Sequence, residues 1–278
     1  MRKLISLNEN WTLSFPKGER LAEKVTLPHT WNAVDGMDGN GSYLRTTGVY
    51  RCTFLKPEQP LEGGRVYVEV LAAALAAVVK VNGTVATTHE GGFSAFRADI
   101  TDLCKEGNNE MTIEVSNEDT PSMYPASADF TFYGGLYRGV NLISVPHTHF
   151  DLDYYGGSGI KVTPKPTEDG GATFEIESFV TNQEDCFTVM YSIEDACGCE
   201  VASAVRPADD TAVTIYVPDA KLWSMDEPNL YTVVARLQKN NETYDEIHVN
   251  TGVRSYSVTP DGGFSINNKA VSLRGVSR

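Results

Sequence analysis

Apolar side chains recur at every second position of this chain, in one short segment after another, and that alternation leaves little choice of fold. Gly48–Pro57 (GVYRCTFLKP), Arg65–Val70 (RVYVEV) and Asn109–Asn117 (NEMTIEVSN) combine a period of two with β-branched or aromatic residues, as half-buried strands do. Gly, Pro, Asn and Asp punctuate the segments. In Val79–Val85 (VKVNGTV) the Asn82-Gly83 pair suits the positive φ angles of a type I′ turn, which predicts a hairpin. Only Leu71–Val79 (LAAALAAVV) favours helix by local propensity, with room for about two turns, so two strands joined across the alanines are predicted there. No long amphipathic helix occurs elsewhere, and the chain reads as all-β.

A length of 278 residues suits about two domains, each with its own core. A seam falls near Pro146. The first set of strands, residues 1–146, is long and irregular and fits a jelly-roll sandwich. The second, residues 147–258, includes Ala172–Asn182, Phe187–Asp195, Ala212–Pro218, Leu230–Gln238 and Glu242–Val258. That spacing fits an immunoglobulin-like sandwich. A third unit, residues 259–278, begins near Thr259. Its last stretch places a turn at Asn267-Asn268-Lys269 and the start of an apolar strand at Ala270–Leu273.

The formal net charge of −14 argues against a nucleic-acid or anionic-membrane partner, either of which needs a basic face. A neutral ligand such as a sugar stays open. The five cysteines are odd in number and scattered, as reduced thiols are. Cys197-Gly198-Cys199 lacks the two-residue spacer and second pair of a zinc site. The N-terminus shows neither a continuous apolar core nor a small-residue cleavage site, so no signal peptide is read there. The longest apolar stretch, Leu71–Val79, falls far short of the ~20 residues of a membrane span. The expectation is a soluble, cytoplasmic protein.

Six segments together resemble the non-catalytic N-terminal half of glycoside hydrolase family 2, the group of β-galactosidases, β-glucuronidases and β-mannosidases. They are Leu27–Gly36 (LPHTWNAVDG), Gly48–Phe54 (GVYRCTF), Val79–Thr101, Asp129–Val145 (DFTFYGGLYRGVNLISV), Leu222–Val233 (LWSMDEPNLYTV) and Thr251–Arg278. The resemblance covers nearly the whole chain, in order. It implies a sugar-binding jelly roll, an immunoglobulin-like sandwich and, from AVSLRGVSR onward, a stub of a TIM barrel. A TIM barrel needs roughly 250 residues, so this stretch is expected to be a truncated beginning.

Family members are retaining glycosidases, whose mechanism takes two carboxyl groups ~5–5.5 Å apart. The resemblance puts both glutamates on barrel strands beyond Arg278, so no catalytic residue is expected here and the 278 residues alone are expected to be inert. Glu114, Glu118, Asp119, Glu175 and Glu177 fit solvated strand faces or turns. His147-Thr148-His149 places two imidazoles on one side of an extended segment, with no third ligand nearby to make a metal site. His29, in LPHTWN, fits a packed, hydrogen-bonded role.

In β-galactosidases of the family the first domain lends loops to the edge of the barrel's pocket, and two segments match them. Asp35–Tyr43 (DGMDGNGSY) is glycine-rich, and Asp35, Asp38 and Asn40 are its candidate sugar-hydroxyl ligands. Asp129–Gly139 (DFTFYGGLYRG) pairs glycines with aromatics, and Arg138 is the candidate partner of Asp129. The residue after that arginine is commonly Asp in the family, where it helps hold sodium. Gly139 stands there instead, which puts in doubt the transfer of that site and any sodium or magnesium use by the whole protein. No cofactor is expected in this portion.

The implied function is that of the accessory half of a β-galactosidase, acting on terminal non-reducing β-D-galactosyl residues through the barrel, within a homo-oligomer. β-Glucuronidase or β-mannosidase is the alternative inside the family. A stand-alone carbohydrate-binding module is the alternative outside it.

Overall fold

The computed structural model describes residues 1–37, 42–58, 63–119, 131–182 and 186–276. The chain divides into two compact units, Arg2–His147 and Thr148–Arg278. The first is a two-sheet jelly roll. One sheet has six strands, in the order Glu23–Val25, Trp11–Ser14, Thr47–Leu55, Asn108–Ser116, Ala76–Val81 and Thr84–Glu90. The other has four, in the order Lys3–Ser6, Val140–Val145, Arg65–Val70 and Phe96–Asp99. Every pairing is antiparallel.

The alternation seen in the sequence is the alternation of the sheet. Along Thr47–Leu55 the residues Gly48, Tyr50, Cys52 and Phe54 point inward, while Arg51, Thr53 and Leu55 are exposed. Their inward neighbours across the ladder include Met111, Ile113 and Val115. These pack with Trp11, Leu13, Val66, Val68, Leu136 and Leu142 into one core. At about 25 cal/mol per Å² of apolar area, burying one such side chain is worth roughly 1.5–3 kcal/mol. The Asn82-Gly83 hairpin forms as predicted, with φ of 50° and 83°. The alanine run does not form a helix: Arg65–Val70 ends before it and Ala76–Val81 begins within it, with Ala72, Ala73 and Ala74 buried.

The second unit carries an immunoglobulin-like sandwich. A four-stranded sheet runs Glu200–Pro207, Thr188–Glu194, Tyr231–Lys239, Glu242–Thr251, and a three-stranded sheet runs Ile160–Pro166, Ala172–Ser178, Ala212–Val217. Inward residues of both sheets, such as Phe174, Ile176, Val189, Tyr191, Val233 and Leu237, form a second core. Buried inside it, the hydroxyls of Tyr191 and Ser178 bond to each other at 2.6 Å.

Three details differ from the sequence reading. Ala172–Asn182, read as one strand, is divided between Ala172–Ser178 in the sandwich and Val180–Thr181, which pairs with His149–Phe150. Glu242–Val258, read as one strand, is split: Glu242–Thr251 belongs to the sandwich and Tyr256–Thr259 to a separate ribbon with Gly263–Ile266 and Lys269–Ala270. The break sits at Gly252, where an added Cβ would lie 2.8 Å from Cβ of Trp223. Arg254 then covers the Trp223 ring at 4.5 Å. The apolar strand read at Ala270–Leu273 stops at Ala270, and Leu273 is exposed. The Val271 N–H still donates to the Phe264 carbonyl at 2.8 Å, but among the described residues the ladder pairing itself goes no further than Ala270.

Candidate functional site

The two loops singled out in the first domain converge on a buried polar cluster, and asparagine amides join them. Asn117 follows the Asn108–Ser116 strand in phase with the inward residues Asn109, Met111, Ile113 and Val115, so its amide is fully buried. Its Nδ2 donates to the carbonyls of Phe132 at 2.7 Å and Leu44 at 3.1 Å, and to Oδ1 of Asn32 at 3.2 Å. Its Oδ1 accepts the Thr46 N–H at 2.8 Å. Asn32, also buried, accepts the Gly134 N–H at 2.7 Å and donates to Leu44 O and to Asp35 Oδ2. Asn117 therefore ties residues 44–46 to Phe132, and Asn32 ties Leu44 to Gly134. A buried network is stabilising only when its members are satisfied, and each of these amides is.

Asp35 lies inside this network. It is 5% exposed, and its carboxylate accepts from Arg20 Nη2 at 2.6 Å, Asn32 Nδ2 at 2.7 Å and the Leu44 N–H at 2.9 Å. Arg20 also donates to the Trp31 carbonyl. Burial pushes the Asp35 carboxyl up. The Leu44 amide, Arg20 and Asn32 together outweigh burial and hold it below its ordinary 3.8. With the folded-state value depressed, the stabilisation is fully present above the unfolded value and is lost as pH falls through the folded one. Acid unfolding of the first unit is therefore expected to gain a component below pH 3.8, and Asp35→Asn should remove it. Unfolding curves of the two proteins that stay parallel through that range would disprove the assignment.

Beside Asp35 an open cleft of about 530 Å³ is lined by Glu19, Arg20, Ser42, Tyr43 and Arg45 among others. Tyr43 and Tyr133 are exposed, at 47% and 51%. Arg45 lies over the Phe132 ring at 4.5 Å and donates from Nε to the Asn117 carbonyl. Polar side chains with aromatic faces beside them can engage sugar hydroxyls and C–H faces. Arg138 is exposed, donates to the Phe93 carbonyl at 3.2 Å and sits over the Tyr137 ring. Asp38, Asn40 and Asp129 lie outside the described residues, so the Asp129–Arg138 pairing does too.

The glycines of Tyr133-Gly134-Gly135-Leu136 are explained by what they touch. A Cβ on Gly134 would sit 2.0 Å from Cζ2 of Trp31, and one on Gly135, at φ 121°, 2.6 Å from the Tyr50 hydroxyl. That hydroxyl meets His29 Nδ1 at 2.9 Å, the packed role expected for this histidine. Burial pushes the His29 imidazole below its ordinary value. Gly139 is likewise a packing position. An added Cβ would lie 3.0 Å from Asn8 Oδ1, an atom held in place by the Val140 N–H at 3.0 Å. Position 139 thus offers no carboxylate, and a side chain there would press on Asn8. Among the described residues no group of three or more His, Cys, Asp and Glu side chains could hold a metal ion.

Sequence reasoning passed over Arg20, Arg45 and Asn117. Asn117 carried a signal, being a polar residue in inward phase at the end of an apolar alternation. Arg20 and Arg45 carried none, since their partners are set by tertiary structure alone.

A jelly roll with loop-borne polar and aromatic groups, followed by an immunoglobulin-like sandwich, is the architecture of the accessory domains of certain glycosidases. The description "Glycosyl hydrolases family 2, sugar binding domain" matches residues 3–146, and "Glycosyl hydrolases family 2" matches residues 158–254. The chain belongs to glycoside hydrolase family 2. It is 84% identical to a crystallised FMN-binding beta-glucuronidase from Facaelibacterium prausnitzii L2-6, with a TM-score of 0.97 over 100% of this chain and 43% of that one. It is 30% identical to a putative beta-glucuronidase of Formosa agariphila, across 92% of this chain and 31% of the relative. A beta-galactosidase of Thermoanaerobacter pseudethanolicus is 27% identical, across 100% of this chain and 39% of the relative. The chain thus spans well under half the length of these relatives.

Proposed function

We propose that the whole protein is a retaining β-glucuronidase, in which these two domains brace the catalytic barrel and lend the Asp35–Tyr43 and 131–139 loops to the edge of its pocket. The observation that carries this reading is the 84% identity, over the full chain, to a protein described as a beta-glucuronidase. β-Galactosides are the second reading, favoured by the match to a beta-galactosidase across 100% of this chain and 39% of the relative. Both chemistries need a pair of carboxyl groups, which the family places on the barrel, outside these residues. The two sugars differ in the group on C5, a carboxylate in one and a hydroxymethyl in the other. Cytoplasmic location and homo-oligomeric assembly belong to the same proposal.

The test is kcat/KM of the whole protein on p-nitrophenyl β-D-glucuronide, β-D-galactoside and β-D-mannoside, with residues 1–278 alone as a second sample. The expectation is a preference for the glucuronide of at least ~100-fold, about 2.7 kcal/mol in transition-state binding, and no turnover by the shorter sample. A preference for the galactoside would overturn the substrate assignment. Turnover by residues 1–278 would overturn the division of labour.

A further inference from the structure

Away from the first-domain cleft, the second unit leaves a strand edge open. Glu200–Pro207 is the outermost strand of the four-stranded sheet. It pairs with Thr188–Glu194 on one side, and among the described residues no strand pairs with its other side. The Ala208 N–H donates to the Phe187 carbonyl at 3.0 Å. Residues bonded to the neighbouring strand alternate along an antiparallel ladder. In this register they are Arg206, Ala204 and Ala202, opposite Val189, Tyr191 and Ile193. The N–H and C=O groups of Ser203 and Val205 therefore point away from the sheet. The Arg206 guanidinium marks that edge, its Nη1 donating to the Val205 carbonyl at 3.1 Å.

Native proteins commonly block such an edge with lysine or proline. The edge strand Ile160–Pro166 of the facing sheet is blocked in this way, by Lys161, Pro164, Lys165 and Pro166. Residues 200–206 (EVASAVR) carry neither residue type and are instead complementary to themselves. Laid antiparallel on a second copy about Ser203, the segment sets Ala202 opposite Ala204, Val201 opposite Val205 and Glu200 opposite Arg206. Ser203 then meets Ser203 of the second copy, so outward-pointing backbone groups face each other. The charges agree with that register. Glu200 stands across its own ladder from Glu194, an arrangement of like charges that costs stability and that a guanidinium from a second copy would relieve. Within its own chain Arg206 meets Asp210 at 3.6 Å, with both side chains about half exposed, a pairing worth little.

We propose that Glu200–Arg206 is the contact through which two copies of this chain pair, edge to edge about a two-fold axis at Ser203, joining their four-stranded sheets into one. This rests on the homo-oligomeric assembly proposed above and names its surface. A two-fold contact needs a patch complementary to itself. The order Val-Ala-Ser-Ala-Val between opposite end charges meets that need, whereas a run with lysine at its centre would set like charges together. Val201 and Val205, at 37% and 55% exposed, come side by side across the new ladder and shield each other from water.

The test is the mass of the whole protein in solution, by size-exclusion chromatography with light scattering across the micromolar range. Wild type should contain an even number of chains, and Ser203→Pro should halve that mass. The N–H it removes points away from the sheet, where an edge strand tolerates proline, and unchanged circular dichroism checks the fold. Arg206→Glu sets like charges opposite each other and should raise the dissociation constant at least ~10-fold. Adding Glu200→Arg to the same chain should restore it, since the reversed charges again oppose across the axis. A wild-type mass of one chain would overturn the homo-oligomeric reading and this pairing together, leaving the edge to a strand of another protein. An oligomer whose mass Ser203→Pro leaves unchanged, or a double reversal no tighter than Arg206→Glu alone, would overturn this contact and not the assembly.

Discussion

Gly134→Ala is expected to destabilise the first unit by about 3 kcal/mol, at the upper end of overpacking costs. The added methyl carbon would sit 2.0, 2.4 and 2.7 Å from Cζ2, Cε2 and Cη2 of Trp31. Trp31 has nowhere to retreat. It is 2% exposed, its other edge lies where a Cβ on Gly48 would come within 2.9 Å, and Phe15 meets its ring edge-on at 5.8 Å. Its Nε1 is committed to the Leu44 carbonyl at 3.2 Å. With ~2.1 cal/mol/K of unfolding entropy per residue, the loss should lower the melting temperature of a unit of this size by roughly 10 °C. The clashing atoms all belong to the six-membered ring of the indole, so Trp31→Phe in the same molecule should recover part of the loss. The two substitutions together should therefore cost less than their sum. A melting temperature within 2 °C of wild type, or strict additivity, would mean that glycine is not required here by the indole.

The same position shows how far the sequence could be read. The paired glycines were legible as a bend beneath aromatics. That Gly134 packs against Trp31 was not, because the contact joins residues 103 positions apart. The strands themselves were legible wherever one face is buried, as at Thr47–Leu55, where a period of two follows directly from the pleat. Legibility failed where a single packing contact decides the backbone. Gly252 breaks what reads as one continuous strand because Trp223 lies against it, and nothing near Gly252 in the sequence announces that tryptophan. In the candidate site, Asp35 was found as a polar loop residue suited to a sugar, whereas its carboxylate is occupied by Arg20, Asn32 and Leu44. A loop sequence shows which groups are available but not which of them the fold has already engaged.

Asn117→Ala is expected to cost a further roughly 3 kcal/mol, by a different mechanism. No steric conflict arises; instead the Thr46 N–H loses its acceptor, and the Phe132 and Leu44 carbonyls lose a donor. A buried polar group left unsatisfied costs about 1–3 kcal/mol. Asn32 keeps its bonds to Gly134, Leu44 and Asp35, so the cluster should loosen rather than vanish. Hydrogen exchange separates this from general destabilisation. The amide of Thr46, whose acceptor is removed, should lose protection well beyond those of Met111 and Ile113, which lie in the sheet, and beyond that of Gly134, which keeps Asn32. Asn117→Asp is the sharper variant. It keeps the shape but turns a carboxylate toward two carbonyls and the Asn32 oxygen, so near neutral pH it should be at least as damaging as the alanine. Protonating the introduced group lets it donate, so the difference should narrow as pH falls toward 4, near the ordinary aspartate value. If the aspartate variant were instead the more stable of the two at neutral pH, Asn117 could not be donating to three oxygens. Residues 44–46 and 132–134 would then be joined chiefly through Asn32.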